Sequence, residues 1–295
     1  MNKILVPDDY DYVGVYLTEK CHLNCAYCIT SLNNSDFKQK KPNYLSSQDW
    51  IIALNRFVLP KDVPLTLQGG EPFLFKGIWE ILEAVHNKMD ILTALPSYLK
   101  KEHFLALKSL QWNQREAPYP KIRVSYHKGQ NDYKELIERI AEFQEILSIG
   151  LYYLDAPFLT DEIAEIKKYA EKLRVDLRPK EFLGYYNGKF YGKFLYPDAA
   201  LGEHTKKRVQ CKNTVIPVSP EGNIFRCHSD LYFSRVQHCL GNVLDESIVF
   251  PGYTLCDNYG LCSVCDVKVK TNHYQKYGYT SVKIIFPSSD FENPK

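Results

Sequence analysis

Three cysteines lie within eight residues near the start of the chain, in the run Cys-His-Leu-Asn-Cys-Ala-Tyr-Cys that contains Cys21, Cys25 and Cys28. A structural zinc ion takes four ligands, and an ordinary ferredoxin-type cubane also takes four thiolates. A local set of three therefore fits a [4Fe–4S] cluster in which one iron is left open to another molecule. Two alternatives are half of a zinc site that is completed elsewhere in the chain, and structural cysteines that lie close together.

The same three-then-two spacing is the signature of the radical SAM superfamily, and this sequence resembles that family. The resemblance implies that the open iron binds the amino and carboxylate groups of S-adenosylmethionine (SAM). It also implies that an electron from a donor such as flavodoxin or ferredoxin cleaves SAM to a 5′-deoxyadenosyl radical. That radical would abstract a hydrogen atom from a peptide or small-molecule substrate, which leads to oxidation or epimerisation.

A Gly-Gly-Glu-Pro turn that begins at Gly69 follows the apolar run Leu65–Gln68. Glycines let the backbone approach a ligand closely, and the exposed carbonyls and the Glu71 carboxylate can accept hydrogen bonds from an ammonium group. A plain turn is the alternative. The turn resembles the GGEP motif of the family, which implies that Gly69, Gly70 and Glu71 hold the amino group of SAM.

The resemblance extends to further residues of the SAM site. Tyr27 matches the position whose backbone touches the adenine, and Ser125 resembles a strand-four serine near the SAM carboxylate or ribose. Thr93 and Arg178 end the third and sixth predicted strands, although a surface ion pair is an alternative for Arg178. His127 could reach the same rim, and a scaffold role is the favoured interpretation for it.

Short apolar β-type runs alternate with amphipathic helical runs from residue 11 to about residue 180, which predicts a parallel α/β sheet with right-handed crossovers. Six repeats are too few for an eight-fold barrel, so we expect an open, partial (βα)6 parallel-strand barrel with the motifs on the rim at the strands' carboxyl ends. The predicted strands are Val13–Leu17, Leu65–Gln68, Asp90–Ala94, Lys121–Tyr126, Ile149–Leu154 and Val175–Arg178. The predicted helices are Ser46–Phe57, Asp132–Leu147 and Thr160–Leu173.

The remaining six cysteines are confined to the last third of the chain, which is typical of ligands rather than of scattered core residues. A hairpin at Pro220–Asn223 is expected to bring Cys211 and Cys227 to one end, and Cys262 and Cys265 form a two-residue-spaced pair. Together they supply four ligands, with zinc as an alternative to iron and sulfide.

This second group resembles the SPASM/twitch auxiliary-cluster region of radical SAM enzymes. There are too few cysteines for the full SPASM pattern, so the shorter twitch arrangement with one auxiliary cluster is favoured, with Cys256 as an alternative ligand. Cys239 and Cys256 are otherwise left over. Either could return a hydrogen atom to a substrate radical, as in family members that epimerise, or both could be small buried hydrophobic residues.

We expect an N-terminal segment at 1–10, a radical SAM core at 11–205, a small cysteine-rich α+β auxiliary domain at 206–286 and a polar tail at 287–295. A further signal is Asn187-Gly188, which predicts a hairpin with a type I′ turn.

Composition limits the possible partners. The net charge of +2 provides no broad attraction to nucleic acid or to an anionic membrane, and no stretch approaches the roughly 20 apolar residues of a membrane span. No signal peptide is recognised, so we expect a cytoplasmic protein with reduced thiols. The short stretch before Cys21 favours a small substrate, or a peptide held by a separate partner. The rival functions are a non-catalytic zinc or iron–sulfur module and a nucleic-acid-modifying radical SAM enzyme.

Overall fold

The computed structural model of the chain describes residues 2–28, 43–107, 115–200, 202, 206–271 and 276–286. Its strands are β1 (Ile4–Leu5), β2 (Tyr12–Thr18), β3 (Phe57–Val58), β4 (Leu65–Gly69), β5 (Met89–Thr93), β6 (Ile122–Ser125), β7 (Ile149–Asp155), β8 (Leu177–Glu181), β9 (Gly184–Tyr186), β10 (Lys189–Tyr191), β11 (Lys207–Asn213), β12 (Val215–Val218), β13 (Asn223–Phe225), β14 (Cys239–Asn242), β15 (Thr254–Tyr259), β16 (Lys270–Thr271), β17 (Tyr277–Tyr279) and β18 (Val282–Ile285). Its helices are α1 (Ser47–Leu54), α2 (Ile78–Ala84), α3 (Lys101–Leu105), α4 (Tyr133–Phe143), α5 (Thr160–Lys172), α6 (His228–Tyr232) and α7 (Val264–Val267). In the described ranges, no helix has the length and apolar character needed to cross a membrane. The predicted polar tail, 287–295, lies outside the described residues.

The largest layer is a nine-stranded sheet in the order β14-β13-β12-β2-β4-β5-β6-β7-β8. Strands β2, β4, β5, β6, β7 and β8 are parallel, and each is paired with the next of them in the chain. Helices lie between successive members of this set, as the predicted crossovers require. The predicted α/β class, with six sequential parallel strands, is therefore confirmed.

The C-terminal part of the chain contributes to two sheets. Strand β12 lies on the other side of β2 and runs parallel to it, with Val215 opposite Tyr12 and Val218 opposite Val15. Strands β13 and β14 continue the sheet in antiparallel fashion. The hairpin predicted within the C-terminal unit is thus built into the main sheet, which the sequence analysis missed. The other sheet is antiparallel, in the order β15-β11-β18, and has a separate small core.

The two faces of the main sheet differ in polarity because successive side chains of a strand point to opposite faces. One face is apolar and is buried against the helices, as Val13, Val15, Leu65 and Leu67 show. The opposite face, which we call the polar face, carries the residues between them: Tyr12, Tyr16, Thr66, Gln68, Asp90, Arg123, Ser125, Tyr152 and Lys180. A sheet with one polar face buried inside the molecule is suited to binding a polar ligand.

The starts of two predicted helices differ in their capping. Asp132 caps α4, since its side chain accepts hydrogen bonds from the backbone N–H of Lys134 (2.8 Å) and Glu135 (3.0 Å). Helix α5 starts at Thr160, as predicted, but Leu159 precedes it without a side-chain capping bond.

The end of α5 explains why the sixth parallel strand starts later than predicted. Arg174 adopts a left-handed φ of 56°, and the N–H of Val175 donates to the carbonyl of Ala170 at 2.9 Å. This ends the helix in the manner of a left-handed cap. Residues 174 and 175 therefore belong to the helix stop, and β8 begins at Leu177.

The predicted hairpin is present as β9 and β10. Asn187 and Gly188 have φ values of 48° and 74°, so both central residues are left-handed, as a type I′ turn requires. The ring centroids of Tyr185 and Phe190 are 4.7 Å apart across the two strands. Tyr185 is exposed, so this hairpin presents aromatic surface outward.

Candidate functional site

The first cysteine group lies in a loop that leaves the carboxyl end of β2, as predicted. The thiols of Cys21, Cys25 and Cys28 are all half-buried. The N–H of Leu23 donates to the Cys21 Sγ at 3.4 Å, and the N–H of Cys28 donates to the Cys25 carbonyl at 3.1 Å. These hydrogen bonds are made within the loop, which keeps the three cysteines near the end of β2.

The Gly-Gly-Glu turn after β4 contacts the chain that leads into the cysteine loop. The N–H of Gly70 donates to the carbonyl of Thr18, and the N–H of Glu71 donates to that of Lys20, both at 2.7 Å. A Cβ on Gly70 would meet the Lys20 carbonyl and would lie 2.6 Å from that of Glu19. The glycines are thus required for the approach of two loops of the protein, in addition to any approach to a ligand.

Glu71 is buried and bonded within the protein. Its carboxylate accepts hydrogen bonds from the N–H of Phe73 (3.1 Å), the hydroxyl of Thr93 (2.7 Å) and the N–H of Ala94 (2.7 Å). Burial raises the pKa of Glu71 to about 7, although these hydrogen bonds lower it. Glu71 and Thr93 therefore fasten the turn to the end of β5. The structure leaves the backbone carbonyls of the turn, rather than the Glu71 carboxylate, to accept from a ligand ammonium group.

Tyr27 joins the cysteine loop to the loop after β6. Its hydroxyl lies 3.2 Å from His127 Nδ1, and its ring centroid is 6.0 Å from that of Phe158. The N–H of Asn24 donates to the Gln130 side chain at 2.8 Å. Burial lowers the pKa of His127 to about 4, with a further contribution from nearby cations, so this imidazole is neutral at pH 7. The scaffold role expected for His127 is consistent with this contact.

Ser125 lies at the end of β6, as the sequence predicts. Its hydrogen-bond partner, Lys180, was not predicted from the sequence. The Lys180 Nζ donates to the Ser125 Oγ at 3.1 Å and lies 5.3 Å from the centre of the Tyr152 ring. Burial lowers the pKa of Lys180 to about 7, and the nearby cations Arg123 and Lys268 lower it further. The signal that could have identified Lys180 was its position two residues after Arg178, since residues i and i+2 share a face of a strand.

The predicted position of Arg178 at the end of the sixth strand is wrong. Because β8 starts later, Arg178 is its second residue, near the opposite end of the sheet. Its guanidinium donates to the carboxylate of Asp176 (2.9 Å) and to the carbonyl of Pro118 (2.7 Å). Arg178 therefore lies away from the rim that carries the cysteine loop.

The polar face contains buried donors that have no hydrogen-bond partner among the described residues. They are the Gln68 Nε2 and the Arg123 Nε, and the Asp90 Oδ1 is an unpaired acceptor on the same face. Buried polar groups are nearly always hydrogen-bonded, so these donors call for acceptors supplied by something other than the chain. The face thus fits a ligand that is rich in hydrogen-bond acceptors.

The six C-terminal cysteines do not all lie in one place in the structure. Cys211, Cys227 and Cys256 line one cavity of about 40 Å³, which we call the thiol cavity. Its other lining residues are Tyr10, Asn213, Arg226, Asp230, Leu240, Pro251, Gly252 and Thr254. Cys262 is close by, since Cys211, Cys256 and Cys262 pack against the same small core.

Cys265, like Cys262, does not line the thiol cavity. Cys211, Cys256 and Cys262 pack against the same small core, and Cys265 is not among the cysteines that do so. These contacts favour Cys256, the alternative ligand of the sequence prediction, over Cys265. Cys239 packs against the small cluster formed by Tyr16, Phe225, Leu231 and Tyr232.

The nine cysteines all lie in the described ranges, and none forms a disulfide. Among the residues that the structure describes, no group of three or more His, Cys, Asp or Glu side chains is close enough to hold a metal ion. The cluster ligands are therefore proposals, and what supports them is chemistry and position. Thiols in a strand-end loop and around a buried cavity fit iron–sulfur ligation.

No family model matches the chain. Similar proteins include the GTP 3′,8-cyclase of Helicobacter pylori strain HPAG1, which is 27% identical over 208 residues that cover 65% of this chain and 61% of the cyclase. Molybdenum cofactor biosynthesis protein 1 of Drosophila melanogaster is 24% identical over 219 residues, 70% of this chain and 35% of that protein. The sporulation killing factor maturation protein SkfB of Bacillus subtilis strain 168 is 33% identical over 66 residues, 22% of this chain and 15% of SkfB.

The chain thus spans only 56–61% of the length of the first three cyclases that it matches, so activity and substrate do not follow from the similarity alone. With the spacing of Cys21, Cys25 and Cys28 after the first parallel strand and the Gly-Gly-Glu turn bonded to it, these similarities support membership of the radical SAM superfamily, whose cofactors are a [4Fe–4S] cluster and SAM.

Proposed function

We propose that this chain is a radical SAM enzyme built on a partial (βα)6 barrel, in which Cys21, Cys25 and Cys28 hold the SAM-binding cluster. The observation that carries the proposal is the direct bonding of the Gly-Gly-Glu turn to the stem of the cysteine loop, at the carboxyl ends of adjacent strands. The cluster and SAM, when bound and reduced by a flavodoxin- or ferredoxin-type donor, supply a 5′-deoxyadenosyl radical that abstracts a hydrogen atom.

Several residues around the rim have separate proposed contacts with SAM. The carbonyls of the turn accept from the SAM amino group, and the backbone of Tyr27 contacts the adenine. Ser125, together with Lys180, faces the position proposed for the SAM carboxylate or ribose. Aromatic side chains exclude water from this region, since the rings of Tyr27 and Phe158 are in contact, as are those of Phe158 and Tyr186 in the β9–β10 hairpin.

The substrate that fits best is a small molecule rich in hydrogen-bond acceptors. The unpaired donors of the polar face and the cation Lys180 support this, because each would be satisfied by oxygen or phosphate acceptors. The names of the cyclases, which state that they act on GTP, support a substrate of the same general chemistry. Hydrogen abstraction is the step common to oxidation, epimerisation and cyclisation, and the proposal is made for that step.

A peptide substrate is the second candidate. It is supported by the 33% identity to SkfB, which is named for the maturation of a sporulation factor. The exposed aromatic surface of the β9–β10 hairpin, which includes Tyr185, would suit a peptide that enters over the rim. A small substrate should bind competitively with inorganic phosphate, whereas a peptide that contacts only the hairpin should not.

The proposed function is tested by anaerobic reconstitution with iron and sulfide, followed by addition of SAM and dithionite. We expect methionine and 5′-deoxyadenosine from the wild type and at least a 100-fold loss in Cys25→Ala. Cys239→Ala is the matched control, since Cys239 packs against Tyr16 and Phe225 away from the first loop and should leave SAM cleavage intact. If Cys239 also returns a hydrogen atom, that variant would lose an epimerised product while cleaving SAM. A reconstituted wild type that cleaves no SAM would instead support a non-catalytic metal-binding module.

A further inference from the structure

The thiol cavity is lined by polar groups as well as by thiols, and their bonding differs. Asp230 is almost fully buried and accepts hydrogen bonds from Arg226 (2.9 Å), Arg235 (3.2 Å) and His238 (3.0 Å). Its charge is therefore well compensated within the chain. A carboxylate with three such donors is a support for its neighbours rather than a free ligand.

Arg226 is held by Asp230 beside the cysteines. Its Nε donates to Asp230 at 2.9 Å and its Nη1 donates to the carbonyl of Leu255 at 3.2 Å. Burial raises the pKa of the Cys211 thiol, and the positive charge of Arg226 opposes that rise. A guanidinium has five N–H donors, so a fixed Arg226 retains donors for anionic sulfur in the cavity.

Asn213 carries a buried hydrogen-bond donor that the described part of the chain does not pair. It is 8% exposed, it lines the thiol cavity, and its Nδ2 has no hydrogen-bond partner in the described part of the structure. Its Oδ1 accepts from the N–H of Val215 at 3.0 Å, which fixes the orientation of the amide. A buried amide N–H without a hydrogen-bond acceptor lowers the stability of the fold by about 1–3 kcal/mol. The presence of Asn213 at this position therefore calls for an acceptor in the cavity.

The acceptors that this cavity offers are sulfur atoms. Cys211, in the same strand as Asn213, and Cys256, in the strand paired with it, both line the cavity, and Cys227 completes the set. The sulfurs of an iron–sulfur cluster carry negative charge and accept hydrogen bonds from amide N–H groups, and such bonds change the reduction potential. Reduction makes the cluster more negative, so a donor stabilises the reduced form more and raises the potential.

We propose that Asn213 is a positioning residue that donates a hydrogen bond to a sulfur of an iron–sulfur cluster held by Cys211, Cys227, Cys256 and Cys262, and thereby raises the potential of that cluster. The inference rests on the auxiliary cluster expected from the twitch-like motif, and it does not depend on cleavage of SAM. It assigns Cys256, rather than Cys265, as the fourth protein ligand.

The test uses the full chain with Cys21, Cys25 and Cys28 all changed to serine, so that only the second cluster can form. This background is reconstituted with iron and sulfide, and the cluster is titrated with dithionite while its EPR signal and visible absorption are recorded. Asn213→Leu keeps the size and charge of the side chain but removes the donor. We expect the ratio of reduced to oxidised cluster at a fixed potential to fall about tenfold, which is ~59 mV for a one-electron couple.

Two further proteins make the result specific. Asn213→Asp keeps the acceptor for Val215 but replaces the donor by a negative charge, so its potential should fall further. Gln210→Leu changes an exposed residue of the same strand β11 and should leave the potential unchanged. Independently of any substitution at Asn213, pulsed EPR of the reduced cluster in 15N-asparagine-labelled protein should show a 15N coupling.

The proposal is overturned if both Asn213 variants retain the cluster at an unchanged potential. It is also overturned if the triple-serine background, offered iron, sulfide and zinc together, binds zinc and no iron. Failure of Asn213→Leu to fold would leave Asn213→Asp and the 15N coupling to decide. These outcomes are distinct from a failure of the proposed function, which is measured as 5′-deoxyadenosine formed by the wild type.

Discussion

The two ends of the parallel sheet use similar charged residues in opposite ways. At the ends where the strands start, a set that we call the charged plug joins Asp62, Asp90, Arg115, Tyr119 and Lys121. At the ends where they finish, the rim carries Lys180 beside Ser125 and the cysteine loop. The comparison shows that the presence of partners within the chain, rather than residue type, separates a structural charge from one available to a ligand.

In the charged plug, opposite charges are closely paired. The Arg115 guanidinium lies 3.3 Å from Asp62 and 3.1 Å from Asp90, and all three side chains are fully buried. Three cations, Arg115, Lys121 and Arg123, lie 5.1–5.4 Å from the centre of the Tyr119 ring. Such a set closes one end of the sheet and fixes the loops that precede β4 and β6.

The rim is different because its cation has only neutral partners. Among the described residues Lys180 forms no ion pair, and its contacts are the Ser125 hydroxyl and the Tyr152 ring. Burial lowers its pKa to about 7, and the neighbouring cations Arg123 and Lys268 lower it further. An anionic group of a bound molecule would relieve this repulsion.

The largest effect expected from this comparison is on stability, at the charged plug. Arg115→Met would remove the cation that Asp62 and Asp90 share, while Asp62 keeps Lys88 at 3.3 Å and Asp90 keeps Arg123 at 3.0 Å. Because these partners remain, we expect a loss of about 3 kcal/mol, the lower end of the range for breaking a buried ion pair. Urea unfolding should show this loss in the free energy of unfolding. Arg208→Met is the control, because the pair between Arg208 and Asp257 is exposed and should contribute no measurable stability. Equal stability of the two variants would contradict a structural role for the plug.

The next largest effect is on SAM cleavage, at the rim. Gly70→Ala places a methyl group against the carbonyls of Glu19 and Lys20, so the turn and the cysteine loop must separate. We expect about a 100-fold loss in the rate of 5′-deoxyadenosine formation, equivalent to about 2.7 kcal/mol. In Gly188→Ala the added methyl meets no atom within 4 Å, so only the left-handed turn is strained and the rate should be retained. A normal rate in Gly70→Ala would show that the close approach of the two loops is unnecessary.

Much of the rim was predictable from the sequence because the signals are local. The spacing of Cys21, Cys25 and Cys28, the Gly-Gly-Glu turn and the alternation of strands and helices all lie within short windows. The start of the sixth strand was not predictable in this way. It depends on Arg174, whose left-handed φ ends the helix before β8. Because this end of the helix was not predicted, the predicted position of Arg178 was wrong.

The charged plug and the thiol cavity could not be predicted because they depend on contacts between distant segments. Asp62 and Arg115 are 53 residues apart, and nothing in either local sequence indicates the pair. Cys256 meets Cys211 only because β11 and β15 pair, whereas the Cys-x-x-Cys spacing favoured Cys265. The spacing of the cysteines thus predicts a second group of ligands. The pairing of β11 with β15 then indicates which cysteines belong to the proposed group.

A smaller effect tests the charge of the rim. Lys180→Met removes the cation, and we expect about a tenfold loss in kcat/KM for 5′-deoxyadenosine formation, whereas the exposed Lys172→Met should have no effect. The wild-type activity should also decline as the pH rises through about 7, where Lys180 loses its proton. A pH profile that is the same in Lys180→Met and wild type would remove Lys180 from the site.

The stability of the same variant has a pH dependence of known sign. The pKa of Lys180 is lower in the folded protein than in the unfolded chain, so the unfolded chain binds more protons between about pH 7 and the ordinary lysine pKa of 10.5. Wild-type stability attributable to this group therefore rises with pH over that window. Lys180→Met should be the more stable protein at pH 6, and the difference should shrink toward pH 10, as chemical unfolding at several pH values would show.

The smallest effect is expected at Tyr27, because its proposed contact with adenine is made by the backbone. Tyr27→Phe removes the hydroxyl that lies 3.2 Å from His127 but keeps the ring against Phe158, so SAM cleavage should fall no more than about fivefold, as expected for a hydrogen bond worth about 0.5–1 kcal/mol. Tyr27→Ala removes the ring as well and should lose considerably more, since the loop is then held at this point mainly by the bond from Asn24 to Gln130. The measurement is the rate of 5′-deoxyadenosine formation at saturating SAM together with the KM for SAM. A large loss in Tyr27→Phe would mean that the hydroxyl, and with it the neutral His127, belongs to the reacting site rather than to its frame.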